Sequence, residues 1–257
     1  MLTLNQLLDY YKNSPSISKK NIMVEYLQCE LLDSIFIQKK SEFLSFMGGT
    51  SIRIGYNGNR FSEDLDFDNF GLTFKEFEEL MGKVVSHMGK KGFEIEFRFV
   101  QKGAYHCYIK FPELLYKSGL SALETEKILV RIDTVEKEKL FDPSIFTINK
   151  FDLYRNILIN PPEIILSQKL ITILQRKREK GRDFYDISFL YGKTKPDFEY
   201  IEKSTKIKKE NFIEMIMTKC DKLNFKQLAK DVEPLLMNSE DAFRVEDFQR
   251  LIKTNLQ

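Results

Sequence analysis

The amino-acid sequence predicts an α+β protein: a mixed sheet with flanking helices, followed by an α-helical C-terminal domain. Three observations predict this. Segments that alternate apolar and polar at every second residue lie only before Pro161-Pro162. Helical spacing, with apolar residues every three or four positions, dominates after it. The strands before it are also not separated by regular helices, as repeated βαβ units would require. The boundary is placed near Pro161 because a residue preceding proline is kept out of the helical region. The expected domains are therefore 1–160, an α/β core with N-terminal helices, and 161–257, a helical domain contributing to the active-site cleft.

Taken in order, residues 4–12 and 18–40 read as helices, the second on the spacing of Ile22, Tyr26, Cys29, Leu32 and Phe36. Phe43–Met47 is a short apolar run closed by Gly48-Gly49, and Thr50 is placed as the cap of a short helix running to Tyr56. Tyr56–Arg60 reads as a turn, and Leu65–Asp68 alternates as a strand. Residues 73–90 form an amphipathic helix through Phe74, Phe77, Leu80, Met81, Val84, Val85 and Met88. Ile95, Phe97 and Phe99 share one face of a strand. Tyr105, Cys107, Ile109 and Phe111 share one face of the next, with Lys102-Gly103 turning between them. Lys127–Val135 and Phe146–Lys150 complete the strands. Helices are expected at 163–178, 184–191, 198–203, 207–222, 225–237 and 240–254.

Composition narrows the function by exclusion. Of 257 residues, 42% are hydrophobic and 30% charged, which is globular. The 40 Lys+Arg and 38 Asp+Glu leave a formal charge of +2, so a nucleic-acid or membrane partner would have to be met by a local patch. Cys29, Cys107 and Cys220 form no CxxC pair and are joined by only two histidines, His87 and His106, which argues against a structural zinc or a disulfide framework. The expectation is a cytoplasmic protein, without a signal peptide or a membrane span.

The chemistry is concentrated in Gly48-Gly49-Thr50-Ser51 and Arg60-Phe61-Ser62-Glu63-Asp64-Leu65-Asp66-Phe67-Asp68. On a strand, Asp64, Asp66 and Asp68 share one face while Leu65 and Phe67 point to the core. Like charges gathered on one face repel, and a hard divalent cation removes that cost while leaving room for phosphates. Gly48 and Gly49 before a short helix allow close backbone approach, the helix start presents N–H groups to a phosphate, and Thr50 and Ser51 add hydroxyl donors. Asp133, on the polar face of a later strand with Arg131, is the candidate third carboxylate. It would bind metal with Asp64 and Asp66, or orient or deprotonate an attacking hydroxyl, if its strand lies beside theirs.

These segments resemble the nucleotidyltransferase superfamily pattern of Gly-Gly followed by Asp-x-Asp, and more narrowly the AbiEii/AbiGii-type toxin nucleotidyltransferases. Glu163–Leu190, with Lys169 followed by Lys180-Gly181-Arg182-Asp183-Phe184-Tyr185-Asp186, is similar to that family's downstream motif. The resemblance implies a polymerase-β-like core, Mg²⁺ or Mn²⁺, and a nucleoside triphosphate as substrate. It also implies a toxin paired with an antitoxin protein and acting on tRNA or another RNA. Carried over, Gly49 and Thr50 would hold phosphates, with Gly48, Ser51 and Ser62 beside them. Asp64 and Asp66 would bind metal, Lys169 would contact the triphosphate, and Asp183 or Asp186 would build the site from the helical side.

Plainer roles compete for several of these residues. Asp183 has the spacing of a helix N-cap with Asp186 three positions on. Lys169 could lie on a solvated face. The run Arg176–Lys180 closed by Gly181 has the form of a helix C-terminus, or of an RNA-phosphate patch. His87 and His106 read as structural. Two other functions stand beside the toxin transferase: a nucleotide- or RNA-binding protein with a degenerate site, and nucleotidylation of a small molecule or protein.

Overall fold

Helices α1 (Leu4–Asp9) and α2 (Lys19–Phe36) lead into strand β1 (Leu44–Met47), which runs directly into α3 (Gly48–Gly55). Strand β2 (Leu65–Asn69) and helix α4 (Phe74–Lys90) follow. Then come β3 (Glu96–Gln101), β4 (Tyr105–Phe111), a single turn α5 (Leu114–Lys117), β5 (Ile128–Glu136), β6 (Ser144–Lys150) and β7 (Leu153–Ile159). In this computed structural model, which describes residues 1–12 and 17–256, these strands form one mixed sheet in the order β3-β4-β5-β2-β1-β7-β6. The chain divides into two units: Met1–Gly55, Phe61–Lys139 and Pro143–Ile159 hold the sheet, while Tyr56–Arg60, Leu140–Asp142 and Asn160–Gln257 form a helical unit.

In the sheet unit, strand alternation decides which side chains meet the helices. Cys107, Ile109, Val130, Ile132, Leu65 and Phe67 are buried on one face. That face receives α4, whose Phe77 lies 6.0 Å from the Tyr105 ring and 6.4 Å from that of Phe99. The register between parallel β2 and β5 is Leu65 to Ile132, Asp66 to Asp133 and Phe67 to Thr134. Antiparallel β4 places His106 beside Asp133 and Tyr108 beside Arg131. The alternation that buries Leu65 and Ile132 therefore sends Asp66, Asp133, Arg131, His106 and Tyr108 to the opposite face. Helix α4 starts with a full capping box between Thr73 and Glu76, as its sequence allows.

Strand β7 has no counterpart in the sequence reading. Only Ile157 and Ile159 are buried along it, and although its exposure alternates, Arg155 stands on the inner-facing side between exposed Tyr154 and Asn156, so no apolar-polar pattern marks it in the sequence. Its hairpin with β6 turns through Phe151 (φ +57°) and Asp152 (φ +60°), left-handed positions normally given to glycine or asparagine. Burial offsets the strain: Phe151 packs edge-on against Tyr10 at 4.9 Å and Tyr26 at 5.6 Å.

The helical unit contains α6 (Pro162–Gln175), α7 (Gly181–Tyr191), α8 (Phe198–Thr205), α9 (Lys209–Cys220), α10 (Phe225–Val232), α11 (Phe243–Glu246) and α12 (Phe248–Leu256). Its core includes an aromatic trio: the Phe184 ring lies 4.9 Å from Phe248 and 5.5 Å from Phe225. Two expectations are corrected here. The 225–237 helix stops at Val232, because Pro234 cannot continue it and a 3₁₀ turn, Glu233–Leu235, replaces it. Gly181 does not end a helix. It opens α7, where its N–H donates to Asp231 Oδ2 at 2.9 Å.

A Cβ at Gly181 would run into the main-chain carbonyl of Leu228, which cannot rotate away. Gly181→Ala is accordingly expected to destabilise the protein by about 1–3 kcal/mol, the usual cost of overpacking, read as a lowered urea midpoint at unchanged slope.

Candidate active site

Gly48 (φ +81°) joins β1 to α3 without an intervening loop. A Cβ on Gly48 would collide with Asp66 Oδ2, so the glycine lets the Asp66 carboxylate lie directly against the start of α3. Thr50 is not the helix cap, because α3 already begins at Gly48. Its buried hydroxyl instead donates to the Asp64 carbonyl, and Ser51 Oγ donates to the Gly48 carbonyl at 2.9 Å. Both hydroxyls thus brace the turn, and what α3 offers a phosphate is its main chain at Gly48 and Gly49. Gln28 of α2 donates to the carbonyls of Ser62 (2.8 Å) and Glu63 (3.0 Å), fixing the approach to Asp64.

Asp64 precedes β2, and Asp66 lies within it. The parallel pairing of β2 with β5 brings Asp133 beside Asp66, so the adjacency assumed from sequence is present. The carboxylates do not face one another unscreened. Arg131 Nη2 donates to Asp64 Oδ2 at 2.8 Å, and its Nε lies 2.8 Å from Asp133 Oδ2. His106 Nδ1 lies 2.7 Å from the other oxygen, Asp133 Oδ1. Asp68, on the same strand, is fully buried and paired with Lys137 at 2.5 Å. His106 and Arg131 are thus part of the acidic constellation. The sequence placed His106 in a strand without a partner, and only strand pairing reveals the link.

Carboxylate oxygens are the donors that Mg²⁺ or Mn²⁺ prefers, and such ions commonly use one or two carboxylates plus phosphate oxygens. Asp64 and Asp66, next to a main-chain cradle that a Cβ would fill, fit that requirement. Among the described residues no three His, Cys, Asp or Glu side chains form a metal cage. Asp133 is instead held by Arg131 and His106.

In the helical unit, Lys169 of α6 is not on a solvated face. Its Nζ lies 3.0 Å from Asp183 Oδ1 and 2.8 Å from Asp186 Oδ2. Arg60 grips Asp186 with two hydrogen bonds of 2.6 Å, and Arg176 Nε lies 3.1 Å from Asp183 Oδ2. Asp183 is inside the first turn of α7, not at its cap, since the helix begins at Gly181. Burial alone would raise the Asp186 carboxyl, but Arg60 and Lys169 outweigh it and hold it below the usual carboxylate range. Burial likewise opposes the Lys169 charge, and Asp186 and Asp183 outweigh it, so its pKa stands above the ordinary lysine value. Arg60 lies in the Arg60–Asp68 segment, where the sequence pattern gives it no role of its own. Its 2% exposure makes it a partner that Asp186 cannot lose.

The family profile described as "Nucleotidyl transferase AbiEii toxin, Type IV TA system" matches residues 30–252. The chain belongs to that family. It is a nucleotidyltransferase of the AbiEii toxin type, and nucleoside triphosphate chemistry follows from that membership. A search of curated proteins gives no significant match. Among solved structures the chain is similar to JHP933 from Helicobacter pylori, with 18% identity, TM-score 0.57, and 94% of this chain and 95% of that one covered. It is also similar to MenT4, a nucleotidyltransferase toxin from Mycobacterium tuberculosis H37Rv, with 15% identity, TM-score 0.61, and 98% and 90% covered. At these identities the likeness is one of fold, and it agrees with the α+β class read from the AbiEii-type sequence. No helix among the described residues is long and apolar enough to cross a membrane.

Two outcomes follow from the charge arrangement. Asp186→Asn leaves Arg60 buried without its carboxylate and is expected to cost about 3–5 kcal/mol in chemical denaturation. The same pairing requires stability that is complete above the ordinary aspartate pKa, about 3.9, and lost as pH falls through the depressed folded value. Arg131→Gln removes the cation shared by two half-exposed carboxylates and is expected to cost about 1 kcal/mol in EDTA. Added Mg²⁺ or Mn²⁺ should raise the melting temperature of that variant more than that of the wild type.

Proposed function

We propose that this chain transfers a nucleoside monophosphate from a nucleoside triphosphate to a hydroxyl of an RNA acceptor. We take tRNA as the cellular acceptor, Mg²⁺ or Mn²⁺ as the cofactor, and an antitoxin protein as the partner that restrains the activity. The observation that carries this reading is the seating of the Asp66 carboxylate against Gly48 at the start of α3. It supports the reading because a carboxylate oxygen and the main chain of a helix start meet at one point.

A divalent cation held by Asp64 and Asp66 would neutralise phosphate charge and polarise the α-phosphate. The chain's own groups do the rest. The main chain at Gly48 and Gly49 receives phosphate oxygens at a helix start. Thr50 and Ser51 brace the turn at the cradle, and Gln28 holds the main chain of Ser62 beside it. Asp133 stands one strand from Asp66 and would accept the proton of the attacking hydroxyl while His106 orients it. The hydroxyl oxygen forms the new bond to the α-phosphorus, the bond to the bridging oxygen breaks, and pyrophosphate leaves. Arg60, Lys169 and Arg176 set against Asp183 and Asp186 leave the helical cluster one positive charge in excess, which suits Lys169 for the triphosphate. In this reading Asp183 and Asp186 position Lys169.

Incubation with each α-labelled triphosphate and total tRNA is expected to give labelled RNA and pyrophosphate. Asp64→Asn and Asp66→Asn should each lower the rate at least a hundredfold with the circular dichroism spectrum unchanged. Full transfer by Asp66→Asn would refute the assignment. Label appearing only in small molecules or protein would replace the RNA acceptor.

A further inference from the structure

The face of the sheet that carries Asp66 and Asp133 continues outward over β5, β4 and β3. Two register rows cross it. In one, Val100, His106, Asp133 and Asp66 are successive partners; in the other, Arg98, Tyr108 and Arg131 are. The opposite side chains of the same strands, Cys107, Ile109, Val130 and Ile132, are buried in the core, so the alternation assigns the rows to one surface. On it Arg98 is exposed and Tyr108 half-buried, with the Arg98 guanidinium 4.5 Å over the Tyr108 ring. Arg131, next in the row, reaches Asp64 at 2.8 Å. A run of arginine, aromatic, arginine and carboxylate thus leads from the sheet edge to the candidate metal ligands. Tyr108 stands two strand spacings, about 10 Å, from β2.

We propose that this open face is the acceptor platform, and that it takes the unpaired terminal nucleotides of an RNA strand. The inference rests on the RNA-directed transferase reading above and adds where the acceptor lies. The chemistry selects the ligand. Single-stranded nucleic acid is bound by aromatic rings and guanidinium planes that stack on bases, with cations on the backbone phosphates. The Arg98–Tyr108 pair is such a stack, and one base extends it. Arg98 supplies positive charge beside the ring, where a flanking phosphate runs, while Arg131 beyond it is shared by Asp64 and Asp133. A strand laid along the row would point its terminal hydroxyl toward Asp133 and Asp66.

The test separates binding from chemistry. Anisotropy of a 5′-fluorescein single-stranded RNA dodecamer is measured with the full chain in EDTA and without triphosphate. Tyr108→Ala is expected to weaken binding five- to a hundredfold, Tyr108→Phe to stay within twofold, and Arg98→Gln to weaken it while flattening its salt dependence. Melting temperatures of the variants within a few degrees of wild type establish that they are folded. Should Tyr108→Ala misfold, Arg98→Gln against Tyr108→Phe carries the comparison. Unchanged RNA affinity in both Tyr108→Ala and Arg98→Gln would overturn the platform. So would variants that lose a protein partner while keeping RNA. If Tyr108→Ala still labels RNA with wild-type KM, the platform fails and the transferase reading stands. If RNA binds in a Tyr108-dependent way but accepts no nucleotide, the transferase reading fails and the platform stands.

Discussion

Repulsion among carboxylates on one face of the sheet is the constraint around which the sheet unit is arranged. Parallel pairing of β2 with β5 sets Asp66 beside Asp133, with Asp64 and Asp68 on either side of Asp66 in the chain. Strand alternation forces this grouping as the condition for burying Leu65, Phe67 and Ile132. The charge is offset locally. Arg131 bridges Asp64 and Asp133, and Lys137 covers buried Asp68. Gly48 in turn exists where the Asp66 carboxylate needs space, so the backbone conformation at the head of α3 and the acidic face are one feature.

The same molecule solves a different problem where charge is enclosed. Glu25 of α2 is buried, and Arg53 (2.7 Å), Lys150 (2.5 Å) and the Tyr11 hydroxyl (2.6 Å) surround it. Burial would raise its pKa, but Arg53 and Lys150 outweigh it and hold it below the usual range. The cluster of Arg60, Lys169, Asp183 and Asp186 in the helical unit is built on this pattern too. Such enclosed pairs add little net stability over apolar packing, yet removing one partner is severe. They fix which elements meet.

Sequence and structure agree where a single face decides the answer. The alternation of β4 and β5 and the helical spacing of α4 each bury one side, and all were legible, whereas α2 shows the same spacing but is buried on nearly every side. The diglycine and the Asp-x-Asp pair were legible as belonging together, and the structure sets Gly48 against Asp66. The β6–β7 hairpin was not, because Phe151 and Asp152 occupy positions that sequence preference gives to glycine or asparagine. Gly181 misled for the converse reason: its smallness serves contact with Leu228, not a helix end. The Lys169–Asp183 and His106–Asp133 pairs lie 14 and 27 positions apart, across helices and in strand register, so local pattern could not reveal them, whereas Arg131 stands two residues from Asp133 on the same strand.

The two charged clusters differ in exposure, and this separates what can exchange from what cannot. Arg131 and Asp64 keep 37% and 30% of their side-chain surface exposed, whereas Arg60 and Asp186 keep 3% and 1%. An ion pair open to water contributes about 0–1 kcal/mol and is given up cheaply to a competing cation. A desolvated pair costs about 3–5 kcal/mol to break from one side. Under the proposed function, rearrangement on binding a metal and a triphosphate would fall on Arg131, whose guanidinium can trade a carboxylate for a phosphate oxygen. Arg60 and Asp186 are the pair that burial holds in place, and Lys169, bonded to both Asp183 and Asp186, shares that enclosed frame.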